Sequence, residues 1–563
     1  MKNNYFKKCI VFASALVFLS GCSDFLDTKI DTDLTPEAVE TNRSTLWYFG
    51  NAMYSSIQSG FSALDGNFFA AASDEAQRTQ ESGYTYTFNR GTLSPDNVEA
   101  ATDFIYYYCY EGIRAANFFL DFAQNGEKLL VLNRDTVKDF VNYEKDLRNL
   151  GWFRAEAHIA RAYYYMELIK RFGGVPIVET TLDKAENPGK IPRSSYDEVV
   201  EYIVREIDFY KDYLQTNWKT HPDNVARSDG RFELKSALAI KARVLLYAAS
   251  PLNNPTNDKT KWERAAKAVQ DVITVVNYKM PANRNYSAYF QGNSASSNAE
   301  SIFLYRVGVG NAIEKANYPI ATPGGNSGVT PTEDLVAAYE YIGTADPLDP
   351  YKNRDPRLAA TVVTNGSRWN NRAIDQSPGE TDDMRKPNTS KTGYYLKKFI
   401  RDNLNLTQNA TDPDVWIIFR YADILLMCAE AMNEAYGADA QPEGFTMTAR
   451  QALTEVRNSA SSSLPPITVA DVAEFRNAVK HERQVELAFE DHRYWDLLRW
   501  KDAETVLNKP VQGVEINKDE DGNFVYQLKN AGERVFHEKN YRLPFSRSEV
   551  VNSGGTLSQN GGY

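Results

Sequence analysis

Charged and aromatic side chains are concentrated in residues 481–500, which read HERQVELAFEDHRYWDLLRW. His481 and Glu482 match the start of the zinc-protease motif H-E-x-x-H, in which two histidines one helical turn apart bind the metal and the glutamate acts as a base. The fifth position of that motif is Val485 in this chain. Because such a zinc site needs both histidines, the stretch does not predict a metal site.

The same stretch has the spacing of a helix that carries ion pairs. Side chains three or four residues apart lie on one helical face. Four pairs of opposite charge have this spacing: Arg483 with Glu486, Glu490 with Arg493, His492 with Asp496, and Asp496 with Arg499. An apolar stripe runs through Val485, Ala488 and Phe489, and we expect a kink near Asp491. We therefore predict a structural role, in which the pairs follow the surface or, where the helix is partly buried, satisfy one another.

Other catalytic signatures are missing from the sequence. It contains no G-x-S-x-G elbow, and the glycine-rich residues 324–328 lack the lysine of a phosphate-binding loop. Residues 517–523 (NKDEDGN) resemble the start of a calcium loop, but the twelfth position is Leu528, where a bidentate glutamate is needed, and we favour a plain turn. We predict no catalytic residue, metal or cofactor. A structural calcium stays open, as does a glycosidase pair of carboxylates, which depends on separations of roughly 5 to 10 Å in space.

The composition excludes some partners. The chain has 563 residues, of which 42% are hydrophobic, and a formal net charge of −11 with only five histidines. A chain of this length and apolar content can bury a large core. Nucleic acid is not an expected partner, because its phosphates need a basic surface. Cys109 and Cys428 lie in apolar, helix-patterned stretches, where we expect buried free thiols.

The first 22 residues, MKNNYFKKCIVFASALVFLSGC, have the features of a bacterial lipoprotein signal. Lysines precede an apolar run over residues 9–19, which is shorter than the about 20 residues that span a bilayer. LSGC at residues 19–22 fits the lipobox pattern, so we predict cleavage before Cys22 and lipidation of its thiol. An ordinary signal peptide is the alternative. Acyl chains on Cys22 would anchor the protein at a membrane surface.

Most of the elements that the sequence predicts are helices. Apolar residues recur in steps of three and four over residues 152–169 and 418–436, with alanines on the buried stripe. Gly173, Gly174 and Pro176 end the first pattern. Further helices are expected over residues 103–123, 195–214, 237–247, 261–276 and 449–460. Consecutive helix pairs suggest a tetratricopeptide-like array without a strict 34-residue repeat.

Residues 277–401 differ from this helical part. They are rich in Gly, Pro, Asn, Ser and Asp, and the short apolar runs NAESIFLYRV and AATVVTNG predict brief strands. Long ordered loops on a rigid helical scaffold usually carry binding. A second turn-rich piece, with GVEI and FVY on either side of residues 517–523, predicts a hairpin.

Segments along nearly the whole chain carry a family resemblance. They are, in order, the lipobox followed by CSDFLD, then RAEAHIARAYYYMELIKRFGGVPIV, GRFELKSALAIKARVLLYAASPLNN, DPRLAATVV, GYYLKKFI, RYADILLMCAEAMNEA, ERQVELAFEDHRYWDLLRW and YRLPFSRSEVVNSGGTLSQNGGY. In this order and spacing they resemble the SusD/RagB-like outer-membrane nutrient-binding lipoproteins of Bacteroidetes-type bacteria. Two positions depart from the family pattern, which commonly has Gly where Asp491 stands and Pro where Gly561 stands.

The resemblance implies a mostly α, SusD-like fold, with tetratricopeptide-like helix pairs packed against a loop-rich part with short strands. We expect a signal peptide over residues 1–21, a helical amino-terminal part over 22–276, and a loop-rich carboxy-terminal part over 277–563 that forms one compact unit with the first. The family implies a non-catalytic cell-surface lipoprotein of the outer membrane, which binds a glycan and delivers it to a SusC-like TonB-dependent transporter. Peptide capture by the same architecture and a surface glycosidase are the alternatives.

The resemblance also directs the search for a ligand site to residues 61–97 and to the loops of the middle part. Sugar rings stack on Tyr and Trp, while planar polar groups bond to hydroxyls. The candidate glycan-binding residues are Asp74, Arg78, Tyr84, Tyr86, Asn89, Tyr286, Tyr289, Trp369, Asn370 and Arg372. Each group has a structural alternative: Tyr84 and Tyr86 could be strand positions, and Trp369 could be packed against a neighbouring loop.

Overall fold

The computed structural model of the chain describes residues 43–80, 82–182, 191–221 and 230–563. The predicted signal peptide and Cys22 lie outside these ranges. Within them, none of the helices combines the length and apolar character needed to cross a bilayer.

Helices make up most of the regular structure in the described ranges. In chain order they are α1 (Arg43–Ala52), α2 (Tyr84–Asn89), α3 (Val98–Ala101), α4 (Ile105–Ala123), α5 (Gly126–Val131), α6 (Phe140–Phe172), α7 (Tyr196–Tyr210), α8 (Leu234–Ala249), α9 (Lys259–Val276), α10 (Tyr286–Tyr289), α11 (Ala312–Asn317), α12 (Glu333–Ala338), α13 (Pro356–Thr361), α14 (Tyr421–Tyr436), α15 (Ala449–Ala460), α16 (Val472–Glu486), α17 (Arg493–Arg499), α18 (Ala503–Val506) and α19 (Arg547–Asn552). The long helices agree with the predicted patterns, although α6 begins well before residue 152.

Successive long helices pack against one another. α4 packs on α6, α6 on α7, and α8 on α9, while α9 also packs on α14, which in turn contacts α15 and α16. Buried alanines such as Ala155 and Ala162 on α6 allow these close contacts. The arrangement confirms the mostly α fold with tetratricopeptide-like helix pairs.

Local sequence signals explain where several helices begin and end. At the start of α7, Ser195 and Glu198 form a capping box, in which each side chain accepts a hydrogen bond from the backbone of the other residue. Thr448 and Gln451 form the same motif at the start of α15. α6 ends as predicted before Gly173, whose φ of +76° suits glycine.

Short strands form antiparallel pairs in the described part of the chain. The pairs are β1 (Ala76–Arg78) with β3 (Val329–Pro331), β2 (Ser301–Gly310) with β8 (Asp412–Arg420), β4 (Val362–Val363) with β7 (Tyr395–Leu396), β5 (Arg368–Trp369) with β6 (Arg372–Ala373), and β9 (Val511–Lys518) with β10 (Phe524–Gly532). The β9–β10 pair confirms the predicted hairpin, and β2 confirms the strand in NAESIFLYRV.

Two boundaries differ from the sequence patterns. Within AATVVTNG only Val362–Val363 is a strand, because Asp355 caps the helix α13 immediately before it. Ile418 lies in β8 and not in a helix, since the backbone of this segment pairs with β2, with Ile417 opposite Leu304. A run of apolar residues fits either a buried strand or a helix, and here tertiary pairing decides between them.

One hydrophobic core runs through both halves of the described chain, from Leu46 to Leu557. Cys109 and Cys428 lie in this core as free thiols, which confirms the prediction. Burial raises the pKa of each thiol to about 12. Both cysteines are therefore protonated and unreactive near neutral pH.

Candidate functional site

Residues 481–500 form two helices with a break between them. α16 ends at Glu486 and α17 begins at Arg493. Between them, Phe489 and Asp491 have positive φ angles of 62° and 61°, a backbone conformation that favours glycine. The break lies where the kink is predicted, and it gives a physical reason for the glycine that is common at position 491 in the family that this chain resembles.

Glu486 is buried among guanidinium groups from distant elements. It contacts Arg284, lies 2.8 Å from Nη1 of Arg357, and lies 2.7 Å from Nη1 of Arg420. Burial opposes ionisation of this carboxyl, yet the three arginines hold its pKa well below its usual range. Removal of this carboxylate would leave three cations unpaired in the interior, so Glu486 links α16 to α13, to β8 and to the loop that carries Arg284.

The other ion pairs of this segment also reach outside it. Asp496 and Arg499 pair as predicted, with 2.8 Å between the carboxylate and Nε. The other three predicted pairs, Arg483 with Glu486, Glu490 with Arg493 and His492 with Asp496, are wrong. Arg483 instead pairs with Asp496, and Arg493 pairs with Asp74. Glu490 pairs with Lys398 and Arg420, and His492 lies 4.0 Å from Asp423. The reason is burial, because side chains enclosed by several elements meet charges from all of them. The segment fastens the carboxy-terminal helices to the scaffold.

The hairpin turn at residues 517–523 is held by the side chain of Asp519. Oδ1 of Asp519 accepts hydrogen bonds from the N–H groups of Asp521 and Asn523, at 3.0 and 2.8 Å. These bonds are those of an Asx-type turn. Across residues 43–80, 82–182, 191–221 and 230–563, no group of three or more His, Cys, Asp or Glu side chains could hold a metal ion.

Asp74 has its carboxylate occupied by an ion pair. Both oxygens accept hydrogen bonds from Arg493, at 2.8 and 2.7 Å, and the side chain is only 11% exposed. The Thr332 hydroxyl also donates to the carbonyl of Asp74. Asp74 thus ties its segment to α17, and its contact with a glycan stays a prediction.

Tyr84 and Tyr86 lie on the short helix α2, so the alternative that they occupy strand positions is wrong. Asp65 fixes this helix, because its carboxylate accepts the backbone N–H groups of Tyr84 and Thr85 at 2.8 and 2.7 Å. Arg78 in turn pairs with Asp65 at 2.7 Å. The two tyrosine rings are 37% and 43% exposed on a helix that is held in place.

A shallow surface depression, which we call the loop site, lies beside α2 and β1. It is lined by Gln77, Arg78, Gln80, Thr85, Tyr86, Asn89, Arg90, Gly532 and Glu533. The structure thus brings together the predicted residues Arg78, Tyr86 and Asn89. The guanidinium of Arg90 lies 5.0 Å from the centre of the Tyr86 ring. Oδ1 of Asn89 and Nε of Arg90 are buried and have no hydrogen-bond partner among the described residues.

Several residues of the loop site are absent from the sequence prediction. Gln77, Gln80 and Arg90 lie inside the predicted segment, and their planar polar groups beside tyrosines are the signal that could have identified them. Glu533 follows β10, far along the chain. It reaches the site because the N–H of Val535 donates to the carbonyl of Asn89 at 2.8 Å. A local sequence pattern does not predict a contact between residues so far apart in the chain.

The second predicted group, Tyr286 and Tyr289, lies inside the protein. The rings are 5% and 4% exposed. The Tyr286 hydroxyl donates to the carbonyl of Glu486 at 2.6 Å, and the Tyr289 hydroxyl lies 2.9 Å from Oγ of Ser301. Burial therefore corrects the expectation that these rings stack on a ligand, because their polar ends are already satisfied within the core.

The third predicted group lies around the β5–β6 turn. Trp369 is fully buried and packs edge-on against Tyr318, with 5.2 Å between ring centres, which confirms the alternative of a tryptophan packed against a neighbouring loop. Asn370 is in the turn with a φ of 44°. Arg372 pairs with the buried Asp382, 2.7 Å from Nη2 to Oδ1. Burial corrects the expectation that Trp369 stacks on a ligand, while contact of a ligand with Asn370 or Arg372 stays a prediction.

Comparison with known proteins gives matches over nearly the full length. The family model described as the SusD family matches residues 253–563, and the model described as "Starch-binding associating with outer membrane" matches residues 24–246. SusD-like protein P2 of Formosa agariphila is 22% identical to this chain over 98% of its length and 99% of the relative. These matches span both the helical and the loop-rich part.

Solved structures share the fold. A SusD-like protein from Bacteroides fragilis matches with a TM-score of 0.75 at 24% identity, covering 94% of this chain and 99% of that one. A SusD-like carbohydrate-binding protein from the same species has a TM-score of 0.71 at 24% identity, with coverages of 91% and 98%. Together with the two family models, they identify this chain as a member of the SusD family.

Proposed function

We propose that this chain binds a glycan at the surface of the outer membrane and makes its main contacts at the loop site. The observation that carries the proposal is the exposed ring of Tyr86, which lines the loop site beside Arg78 and Arg90, with a second exposed ring, Tyr84, on the same fixed helix. Such rings stack on the C–H faces of sugars, and guanidinium and amide groups bond to hydroxyls. The carbohydrate-binding name of a structural relative and the outer-membrane description of the family support the assignment.

The path of the ligand follows from the anchor that we propose. Lipid on Cys22 would hold the protein at the membrane without a pore, so the bound glycan must pass to a separate channel. We propose a SusC-like TonB-dependent transporter as that partner and a cell-surface location for the complex. Replacing Cys22 by Ala is expected to abolish incorporation of labelled palmitate and to release the protein from the membrane fraction. Unchanged labelling of that variant would contradict the anchor.

Affinity electrophoresis in gels that contain single polysaccharides tests the proposed function. The protein is expected to be retarded by at least one of starch, laminarin, xylan, pectin and alginate. The double variant Tyr84→Ala, Tyr86→Ala is expected to lose the retardation, while Tyr213→Ala, whose ring is 62% exposed elsewhere, keeps it. Absence of retardation in all gels, or full retention by the double variant, would overturn the proposal.

The same preparations distinguish the alternative functions. Incubation with the retained glycan is expected to release no new reducing ends, because in the proposed mechanism no bond is made or broken. Release of reducing ends that depends on this protein would instead establish a glycosidase. Binding to a tryptic digest of casein, combined with no binding to any glycan, would establish peptide capture.

A further inference from the structure

A second cavity, which shares no lining residue with the loop site, lies between α4, the segment that precedes residue 183, and the carboxy-terminal segment from Glu549 to Leu557. We call it the tyrosine pocket after Tyr106, Tyr107 and Tyr110, which line it from α4. Its volume of about 290 Å³ is near the lower end of the range for small-molecule sites. It therefore has room for one small ligand group.

The aromatic wall of this pocket is formed in advance. Tyr106 and Tyr110 are one helical turn apart, with 4.9 Å between ring centres. The Tyr110 hydroxyl donates to the carbonyl of Pro176 at 2.7 Å, and Phe172 supports Tyr106 edge-on at 5.2 Å. Tyr107, next to this pair, is 58% exposed. A ligand that enters meets rings that are already in position, so little entropy is lost in ordering them.

Polar side chains without partners lie next to this wall. Glu111 and Arg114 on α4, and Glu549 and Asn552 on α19, line the pocket. The side chains of Glu111, Arg114 and Asn552 make no hydrogen bond or ion pair with any residue in the described ranges, whereas burial and the nearby Glu99 raise the pKa of the Glu549 carboxyl. In the same protein, Asp74, Arg78 and Arg372 all have ion-pair partners. Unpaired carboxylate, guanidinium and amide groups beside an aromatic ring can bond to the neighbouring hydroxyls of a sugar.

One part of the remaining wall is aliphatic, while Asn117, Thr180, Ser553 and Thr556 line other parts of it. Ile113, Val178 and Leu557 line the aliphatic part, and they offer no hydrogen-bond partner. A sugar hydroxyl placed against them would lose its water without compensation, which is costly. A methyl group in the same place, alone or as part of an acetyl group, would bury apolar surface, which is favourable.

We propose that the tyrosine pocket binds a sugar residue that carries a small apolar substituent, such as the methyl group of a 6-deoxyhexose or an acetyl group. The ring stacks on the tyrosines, its hydroxyls bond to Glu111 and Arg114, and the substituent faces Ile113 and Val178. The inference rests on the proposed glycan-binding function. It adds a second subsite and a preference for substituted sugars.

Ligand-observed NMR with the detergent-solubilised full-length protein tests this pocket. The probes are the methyl glycosides of L-fucose, L-rhamnose and N-acetyl-D-glucosamine, with methyl glucoside as the unsubstituted comparison. At least one substituted glycoside is expected to bind with a Kd about tenfold or more below that of methyl glucoside. Which one binds distinguishes a deoxy methyl group from an acetyl group. Equal or weaker binding of all three relative to methyl glucoside would overturn the proposal.

Variants locate the binding. The double variant Tyr107→Ala, Arg114→Ala changes exposed side chains and is expected to raise that Kd by about tenfold or more, whereas Tyr84→Ala, Tyr86→Ala leaves it unchanged. If the Tyr107, Arg114 variant bound the glycoside with an unchanged Kd, the sugar would bind elsewhere, and the proposal that the tyrosine pocket is the site would be overturned. The gel assay with the Tyr84, Tyr86 variant reports on the proposed function separately, so failure of either proposal can be recognised by itself.

Discussion

At the scale of single residues, buried carboxylates in α16 and α17 each hold more than one guanidinium group. Asp496 is 2% exposed and lies 2.8 Å from Nε of Arg483 and from Nε of Arg499. Its removal leaves both cations without this partner in a dry environment, which typically costs about 3 to 5 kcal/mol. We expect Asp496→Ala to lower the free energy of unfolding by about this amount, measured by urea denaturation followed by circular dichroism.

The matched control for this prediction is an exposed ion pair. Glu201 and Arg264 are 2.7 Å apart, with side chains 57% and 46% exposed. Water screens such a pair, so Glu201→Ala is expected to change the free energy of unfolding by less than about 1 kcal/mol. Equal effects of the two substitutions would contradict the structural role of the residue 481–500 segment. Ligand binding by Asp496→Ala is expected to persist in the absence of urea.

Glu167 provides a residue-scale prediction of pH dependence. Burial raises the pKa of this carboxyl, but Lys170 at 2.9 Å and the adjoining Arg171 outweigh that effect and lower it to about 2. Because the folded pKa lies below the usual 4.5, the ion pairs stabilise the fold above about pH 4.5, and this contribution is lost as the pH falls towards 2.

The variant Glu167→Gln isolates this contribution. At pH 7 we expect it to lower the free energy of unfolding by about 3 kcal/mol, since each unit of pKa shift corresponds to about 1.4 kcal/mol. Near pH 2 the protonated glutamate resembles glutamine, so the difference is expected to vanish. Urea unfolding at both pH values gives the two differences. A cost that is the same at pH 7 and pH 2 would show that packing and not charge is responsible.

At the scale of elements, α4 and α6 approach each other at Gly112. A Cβ atom at this position would lie 2.2 Å from the ring of Tyr164, which cannot move easily because its hydroxyl donates to the carbonyl of Met53 at 2.6 Å. Overpacking typically costs about 1 to 3 kcal/mol, more than the about 1 kcal/mol that alanine gains over glycine in a helix. Gly112→Ala is therefore expected to lower Tm in a calorimetric scan.

Gly151 on α6 is the control for this contact. A Cβ atom there would have no neighbour within 4 Å, so only the helix propensity changes. Gly151→Ala is expected to raise the free energy of unfolding by about 0.5 to 1 kcal/mol. If both alanine variants raised Tm, the close approach of α4 and α6 would not limit stability.

At the scale of the whole molecule, contacts join the beginning of the described chain to its end. Arg493 binds Asp74, and Arg534 donates to the carbonyl of Ala76 at 2.6 Å. α9, at the end of the expected amino-terminal part, packs on both α8 and α14. Division of the chain after residue 276 would expose the apolar face that α9 shares with α14, so the two parts are expected to depend on each other.

Separate expression tests this dependence. Residues 22–276 and 277–563, produced alone, are expected to aggregate or to lack a cooperative unfolding transition, while the full chain unfolds in one calorimetric transition. Mixing the fragments after refolding from urea, to ask whether the native circular dichroism spectrum returns, serves as the control for irreversible damage. A cooperative transition in either isolated fragment would show that the two parts fold independently.

The sequence by itself was sufficient for features that depend on neighbours along the chain. α15 begins at Ala449 and ends at Ala460 as its periodicity predicts, because the capping pair Thr448 and Gln451 and the apolar stripe are local. The glycine pair after Phe172 ended α6 for the same reason. The order of several family segments was also sufficient to indicate the fold. Each segment encodes one local element, and the order of these elements along the chain is specific to the family.

Only the tertiary structure decided which side chains face one another and which remain accessible. Trp369 and Tyr286 have polar surroundings in the sequence, yet both are buried, because partners distant in the chain, Tyr318 and Glu486, enclose them. Tyr106 and Glu549 line one pocket although more than 400 residues separate them in the sequence. The burial of a side chain and its choice of partner depend on contacts between segments that are distant in the sequence. Local patterns in a single sequence do not determine those contacts.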